Sequence, residues 1–334
     1  MSAAVDTGRL DRSSPSESMS RWARRNTWTI GLIGLLATFL VLTWRIQPSY
    51  GAAQIQGLAI GALPLAMASV AQAIVVVSGG IDLSIGSMMA LTSVTAAVLM
   101  KDQSEGFGVA VVVGILVMGL ALGVINGTLV VITKVPDIVV TLALSFVWAG
   151  ATLLVLHTPG GGSAEWLKAL VTGSVGSDWV PRALVVLIVV VAAVWIPLRR
   201  STVGLALYAV GSDRLAAFRS GVSIGRTKII AYALGGLFSA FGGLALTAST
   251  GIGTPVPGAY TLLGIAAVVL GGVSLAGGRG GVAGPIIAVF VLALVRTDMT
   301  LLGINPNLAT VIQGLILISV VMFGSLAAMR RSRI

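Results

Sequence analysis

Asp82 is the residue whose place in the sequence could support the most chemistry. It follows 36 residues without a charged side chain and precedes 18 more, so one carboxylate lies between two stretches apolar enough to cross a bilayer. An ionisable group in such a place marks a helix end or a polar pathway inside a bundle. Two interpretations stay open. Asp82 caps the next helix by accepting N–H groups near Ile85, or it gates or lines a path through the membrane.

Three neutral polar residues join Asp82 as candidates for a translocation path or gate: Ser84, Asn126 and Gln313. Such groups can hydrogen-bond a neutral polar molecule, and they can equally bond the backbone or a neighbouring helix. We recognise no pair of acids and no nucleophile with its base, which disfavours an intramembrane enzyme. The absence of cysteine and the single histidine, His157, make a metal cluster implausible.

The elements that position these residues must lie in lipid. The chain is 56% hydrophobic and 10% charged, with a mean hydropathy of +1.02, which is more apolar than a soluble protein of 334 residues needs. A helix needs about 20 apolar residues to cross roughly 30 Å of hydrocarbon. We therefore predict an all-α, polytopic membrane protein with about ten transmembrane helices. The predicted spans are 27–44, 56–78, 83–100, 107–132, 138–157, 180–198, 229–249, 259–276, 281–298 and 307–328.

The distribution of basic residues predicts the orientation of these spans. Ten crossings place both termini on one side, and the loops and tails on that side hold 16 of the 21 Lys and Arg residues. The positive-inside rule makes that side cytoplasmic. We thus expect residues 1–26 to form a disordered cytoplasmic tail and residues 27–329 to form the membrane domain. We also expect the first helix to be retained, because no small-x-small cleavage site follows it.

Glycine spacing predicts where helices pack. Gly119, Gly123 and Gly127 recur every four residues on one face of the fourth span, and Gly57 and Gly61 do so on the second. Small faces let helices approach closely in lipid. These faces are either fixed seams within one subunit or surfaces that slide during transport.

The longest loop on the basic side, residues 199–228, contains a short amphipathic pattern. Asp213 can cap a short helix in which Leu215 and Phe218 share one face, and Gly221 can end it. Its apolar face needs a cover, which either the helical bundle or a soluble partner could supply. If a partner covers it, we expect a charge placed at Ala217 to disturb the contact.

Four blocks of sequence carry a family resemblance. Residues 78–87, with the run Gly-Gly-Ile-Asp-Leu-Ser, resemble a motif in the permease subunits of ribose-type ATP-binding-cassette sugar importers. Residues 126–142, 211–221 and 265–280 resemble further blocks of that family in the same order. The resemblance extends over about 55–328, and it implies a subunit that moves a ribose-like monosaccharide or polyol across the cytoplasmic membrane by alternating access.

The resemblance also implies partners. The segment similar to the family's coupling helix, which docks on a separate ATPase, contains Asp213, Arg214, Ala216, Ala217, Phe218 and Gly221. This chain has no Gly-x-x-x-x-Gly-Lys-Ser/Thr phosphate loop, so it is expected to bind no cofactor, with ATP and Mg²⁺ on the ATPase. A second permease copy, identical or related, and an extracytoplasmic solute-binding protein complete the expected complex. No nucleic-acid partner is expected, because the basic residues are dispersed among loops.

Three segments depart from the family pattern and leave the substrate open. They are residues 260–262, 135–138 and 296–299, which introduce or remove acidic groups. A branched-chain amino acid permease is the nearest alternative, because that family shares the architecture. An ion-coupled secondary transporter is less favoured, because it usually buries several charged relay groups.

Overall fold

The computed structural model describes residues 27–256, 258–305, 307–312, 314, 315, 318 and 322. The predicted tail, residues 1–26, lies outside this part of the chain. The named elements of the described part are α1 (Thr27–Ile46), α2 (Ala52–Val77), α3 (Ile85–Met100), α4 (Glu105–Thr133), α5 (Asp137–Val155), α6 (Glu165–Val171), β1 (Ser174–Val175), β2 (Ser177–Pro181), α7 (Arg182–Arg200), α8 (Thr202–Ser212), α9 (Arg214–Arg219), α10 (Ile224–Thr250), α11 (Tyr260–Leu270) and α12 (Ala283–Leu301).

Seven of the described helices are long and apolar enough to cross a membrane: α1, α2, α4, α5, α7, α10 and α12. Helices α3 and α11 have 16 and 11 residues, so they are shorter than the predicted spans 83–100 and 259–276. At 1.5 Å per residue they measure about 24 and 17 Å. The predicted span 307–328 is helical at each described position. The chain is a helical, polytopic membrane protein, as predicted.

Glycine explains the early end of α11. Beyond Leu270 the backbone takes positive φ angles, among them +77° at Gly272 and +67° at Gly278, which glycine adopts without steric cost. The Trp28 indole lies against Gly272 and donates a hydrogen bond of 2.8 Å to the carbonyl of Leu270. A distant side chain thus satisfies a carbonyl at the helix end, a link between α1 and α11 that hydropathy alone does not indicate.

Helix α2 lies at the centre of the bundle. It is buried along most of its length and packs against α7, α10, α11 and α12. In contrast, α1 and α5 keep large apolar side chains exposed, as a lipid-facing surface requires. Examples are Phe146 and Leu154 on α5. Asp82 and Ser84 follow α2 directly, so they belong to the best packed part of the molecule.

The glycine face of α4 is a packing seam within the chain. A Cβ atom at Gly119, Gly123 or Gly127 would collide with the backbone of α10, around Gly236, Tyr232 and Ile229 respectively. The face is thus a seam within one subunit, and sliding along it during transport stays a prediction. For Gly57 and Gly61 no described atom outside their own helix lies within 4 Å of where their Cβ atoms would be, and both line a cavity of about 520 Å³, so packing of this face stays a prediction.

Loops gather at the two ends of the bundle. At one end, which we call the junction, residues 77–80, 211–214 and 277–278 meet. The N–H of Gly278 donates to the carbonyl of Val77 at 2.9 Å, and Gly211 packs against that same carbonyl. At the opposite end, Gly160 and Gly253 exchange backbone hydrogen bonds of 3.1 and 2.8 Å.

A short antiparallel hairpin, β1–β2, is the one described sheet and was not predicted. Gly176 turns the chain between the strands with φ of +70°. Trp179 and Val180 suit an extended backbone. The Gln56 amide donates to the carbonyl of Asp178 at 2.8 Å, so the hairpin is fixed to the start of α2, at the end opposite the junction.

Candidate functional site

Asp82 is completely buried in the break between α2 and α3. Its Oδ1 accepts hydrogen bonds from the backbone N–H of Ser84 at 2.8 Å and from the Ser84 hydroxyl at 2.7 Å. Ser84 is the N-cap residue of α3. The carboxylate therefore bonds the N-cap residue Ser84 and not the N–H of Ile85, and it does so from the protein interior.

Asn126 connects this cap to two long helices. Its amide nitrogen lies 2.6 Å from the Ser84 hydroxyl and 3.5 Å from Oδ2 of Asp82. Its carbonyl oxygen accepts a hydrogen bond of 3.1 Å from the indole N–H of Trp148 on α5. Three of the four predicted path residues are thus in one network. The fourth, Gln313, lies outside the described residues.

A second polar group lies beside the first and was missed at the sequence level. The Lys228 ammonium on α10 lies 2.8 and 2.7 Å from the two carboxylate oxygens of Asp137 on α5. The Tyr232 hydroxyl donates to Asp137 at 3.0 Å and lies 3.3 Å from the carbonyl of Ile81. The side chains of Lys228 and Asp137 are only 7% and 14% exposed, so this is a largely buried ion pair.

The segment between α2 and α3 fits closely between these groups. A Cβ atom at Gly80 would lie 2.8 Å from the Asp137 carboxylate and 2.9 Å from the Tyr232 hydroxyl, so a larger residue there would displace these side chains. The Thr141 hydroxyl accepts the N–H of Leu83 at 3.0 Å. Helices α4, α5 and α10 therefore hold the segment through polar contacts, and a displacement of the segment must change those contacts.

The predicted short helix is α9. Asp213 caps it as expected, accepting the N–H groups of Leu215 and Ala216 at 2.9 and 3.0 Å. Leu215 and Phe218 are 59% and 65% exposed, so the bundle of this chain does not cover their face. Gly221, with φ of +81°, follows the helix end.

Ala217 lies on the other face of α9. It is only 4% exposed and packs toward the bundle, whereas Ala216 faces outward. A charge at Ala217 would therefore disturb the packing of α9 on the bundle, and Ala216 is the position for a charge on the exposed face.

Arg214 joins α9 to the buried network. Its guanidinium donates a hydrogen bond of 3.0 Å to the carbonyl of Gly79, at the beginning of the segment that carries Asp82. The contact thus connects the exposed helix α9 to the buried Asp82 through the four residues from Gly79 to Asp82.

Among the described residues, no cluster of three or more His, Asp or Glu side chains could hold a metal ion. The polar groups described above therefore connect helices through hydrogen bonds and an ion pair.

The sequence profile of the family described as branched-chain amino acid transport system, permease component, matches residues 54–321. The chain belongs to this family.

Curated relatives of this permease match it over most of their own length. The ribose import permease protein RbsC of Escherichia coli (strain K12) is 30% identical over 261 residues, 77% of this chain and 81% of the relative. RbsC of Bacillus subtilis (strain 168) is 33% identical over 254 residues, 74% and 77%. The autoinducer 2 import system permease protein LsrD of Escherichia coli O9:H4 (strain HS) is 29% identical over 324 residues, 92% and 94%. No solved structure matches the chain. The resemblance found in the sequence blocks is confirmed.

Proposed function

We propose that this permease is the transmembrane subunit of an ATP-binding-cassette importer that carries a ribose-like monosaccharide or polyol across the cytoplasmic membrane. The observation that carries this proposal is the similarity to ribose import permeases over about three quarters of the chain. The alternative cargo, a branched-chain amino acid, appears in the family description, but the ribose-importing relatives do not favour it.

The proposed topology has ten crossings and both termini in the cytoplasm. Seven long helices, the shorter α3 and α11, and the helical positions after residue 306 support this number. The junction end carries Lys134, Arg214 and Lys228, close to the Gly277–Gly278 loop that precedes Arg279. This end is therefore the proposed cytoplasmic face.

Helix α9 is the proposed contact with a separate ATPase that binds ATP and Mg²⁺. Its apolar face, with Leu215 and Phe218, points away from the bundle, and exposed apolar patches of this kind mark protein interfaces. The complex would hold two permease copies, identical or related, two ATPase domains and an extracytoplasmic binding protein. This permease would bind no cofactor itself.

The proposed mechanism is alternating access driven through α9. ATP binding would bring the ATPases together and shift α9, and Arg214 would transmit that shift to the carbonyl of Gly79. Because Asp82 and Asn126 connect the same segment to α4 and α5, the helix interfaces would rearrange with it. A central path between the subunits would then open on one side at a time.

Transport in vesicles tests the proposal. The permease is reconstituted with its ATPase and supplied with its binding protein and radiolabelled ribose, other pentoses, polyols or leucine. We expect ATP-dependent accumulation of a sugar or polyol and none of leucine. Accumulation of leucine would support the second candidate, and accumulation without the ATPase would contradict both.

Two substitutions separate the charge of Asp82 from its role as a hydrogen-bond acceptor. Asp82→Asn keeps an oxygen that accepts the N–H of Ser84, so we expect normal thermal stability and uptake within about twofold of the wild type. Asp82→Ala leaves the buried N–H and hydroxyl of Ser84 without their acceptor, at a cost of about 1–3 kcal/mol of folding free energy. Thermal melting and vesicle uptake measure the two effects. If Asp82→Asn folds normally and fails to transport, the charge itself is required.

A further inference from the structure

A cavity of about 370 Å³ lies between the end of α4, the start of α5 and the starts of α9 and α10. Its wall has two chemically different parts. One part is apolar and includes Val130, Val131, Val135 and Ile224. The other part carries the cations Lys134, Arg214 and Lys228, with Asp137 as the one acidic residue of the wall.

The charges of the cavity do not cancel. Asp137 is already paired with Lys228 at 2.7 Å, which leaves Lys134 and Arg214 in excess. Arg214 donates one N–H group to the carbonyl of Gly79, a neutral acceptor. Within the described part of the chain, Lys134 has no carboxylate within ion-pair distance. The cavity therefore favours an anion.

The apolar part of the wall narrows the class of anion. Val130 and Val131 belong to the last turns of α4, a membrane-spanning helix, and their neighbour Ile132 is 68% exposed on its lipid-facing surface. Lys134 ends that helix in the left-handed conformation, with φ of +58°. An anion attached to hydrocarbon would satisfy both parts of the wall at the level where a helix leaves the bilayer.

We propose that this cavity binds the headgroup phosphate of an anionic phospholipid. The phosphate lies between Lys134 and Arg214, and the first acyl carbons lie along the valines. Because Arg214 is the first residue of α9, the lipid contacts the helix that we assign to ATPase docking. The lipid site goes beyond the transport function and does not depend on the identity of the cargo.

Lipid binding to the full-length permease tests the site. The protein is purified, placed in phosphatidylcholine nanodiscs and titrated with phosphatidylglycerol, and the bound lipid is measured by native mass spectrometry. We expect Lys134→Gln to lower the apparent affinity for phosphatidylglycerol about fivefold. The matched control is Lys101→Gln, because Lys101 also follows the last residue of an apolar helix but lies at the opposite end. It is expected to have no effect, and Lys134→Arg is expected to keep the wild-type affinity.

Two further outcomes would overturn the lipid site. Equal losses in Lys134→Gln and Lys101→Gln would mean diffuse attraction between basic residues and an anionic surface. Displacement of phosphatidylglycerol by inorganic phosphate at millimolar concentration would assign the cavity to a soluble phosphate. With the lipid bound as proposed, inorganic phosphate leaves the bound phosphatidylglycerol unchanged, because it cannot occupy the apolar part of the wall.

Discussion

Phe218→Asp is expected to separate the permease from its ATPase. Phe218 is 65% exposed on α9, and its neighbour on the same face, Leu215, is 59% exposed. An aromatic anchor at the centre of an interface commonly contributes at least about 2 kcal/mol, so its replacement by a charge should weaken docking by about 30-fold or more. Copurification of the ATPase with the tagged permease measures docking, and substrate-stimulated ATP hydrolysis in vesicles measures its consequence.

The chain offers a matched control for this result. Trp179 is an aromatic residue with 55% exposure, in the hairpin at the opposite end of the bundle. Trp179→Asp introduces the same charge and is expected to leave ATPase copurification unchanged. If Phe218→Asp retains the ATPase at the wild-type level while both variants fold, another loop makes the contact.

Local patterns allowed the short helix to be predicted from the sequence. The cap of Asp213, the outward face of Leu215 and Phe218 and the end at Gly221 all depend on residues close together in the chain. The sequence did not decide what covers the apolar face, because that depends on how α9 is turned against the bundle. The structure places Ala217 inward. The sequence did not decide this, because the six-residue helix has small residues at two adjacent positions, Ala216 and Ala217, and either could face the bundle.

The network around Asp82 was predicted in part for the same reason. Asp82 and Ser84 are two residues apart, and their contact is a local turn. Asn126 was recognised as a polar residue in an apolar span, but its meeting with Trp148 depends on how α4 packs against α5. Such long-range contacts follow from helix packing, which hydropathy does not determine.

The ion pair between Asp137 and Lys228 shows most clearly which contacts could not be predicted from the sequence. The two residues are 91 positions apart, and each lies near the start of its helix, where a charge is usually solvated. Asp137 stood out only as a departure from the family pattern. A search for an opposite charge near the same end of another span could have found Lys228 as its partner.

Breaking this pair is expected to cost more stability than any other single change at the site. Asp137→Asn leaves the Lys228 ammonium, 7% exposed, without its counter-charge, and Lys228→Met leaves Asp137 with the Tyr232 hydroxyl alone. Removing one partner of a buried ion pair costs about 3–5 kcal/mol, whereas removing both charges is often nearly neutral. We expect each single variant to unfold at a lower denaturant concentration and the double variant to recover most of the loss.

The exposed pair Glu165–Lys168 supplies the control for a double-mutant cycle. Its N–O distance is also 2.7 Å, but its side chains are 77% and 34% exposed, so its coupling energy should lie below about 0.5 kcal/mol. Equilibrium unfolding of the permease in mixed micelles measures both cycles. A coupling energy for Asp137 and Lys228 no larger than that of the exposed pair would mean that water reaches the buried pair. The segment around Gly80 would then not depend on the pair, because a solvated carboxylate would no longer hold the Tyr232 hydroxyl beside the Ile81 carbonyl.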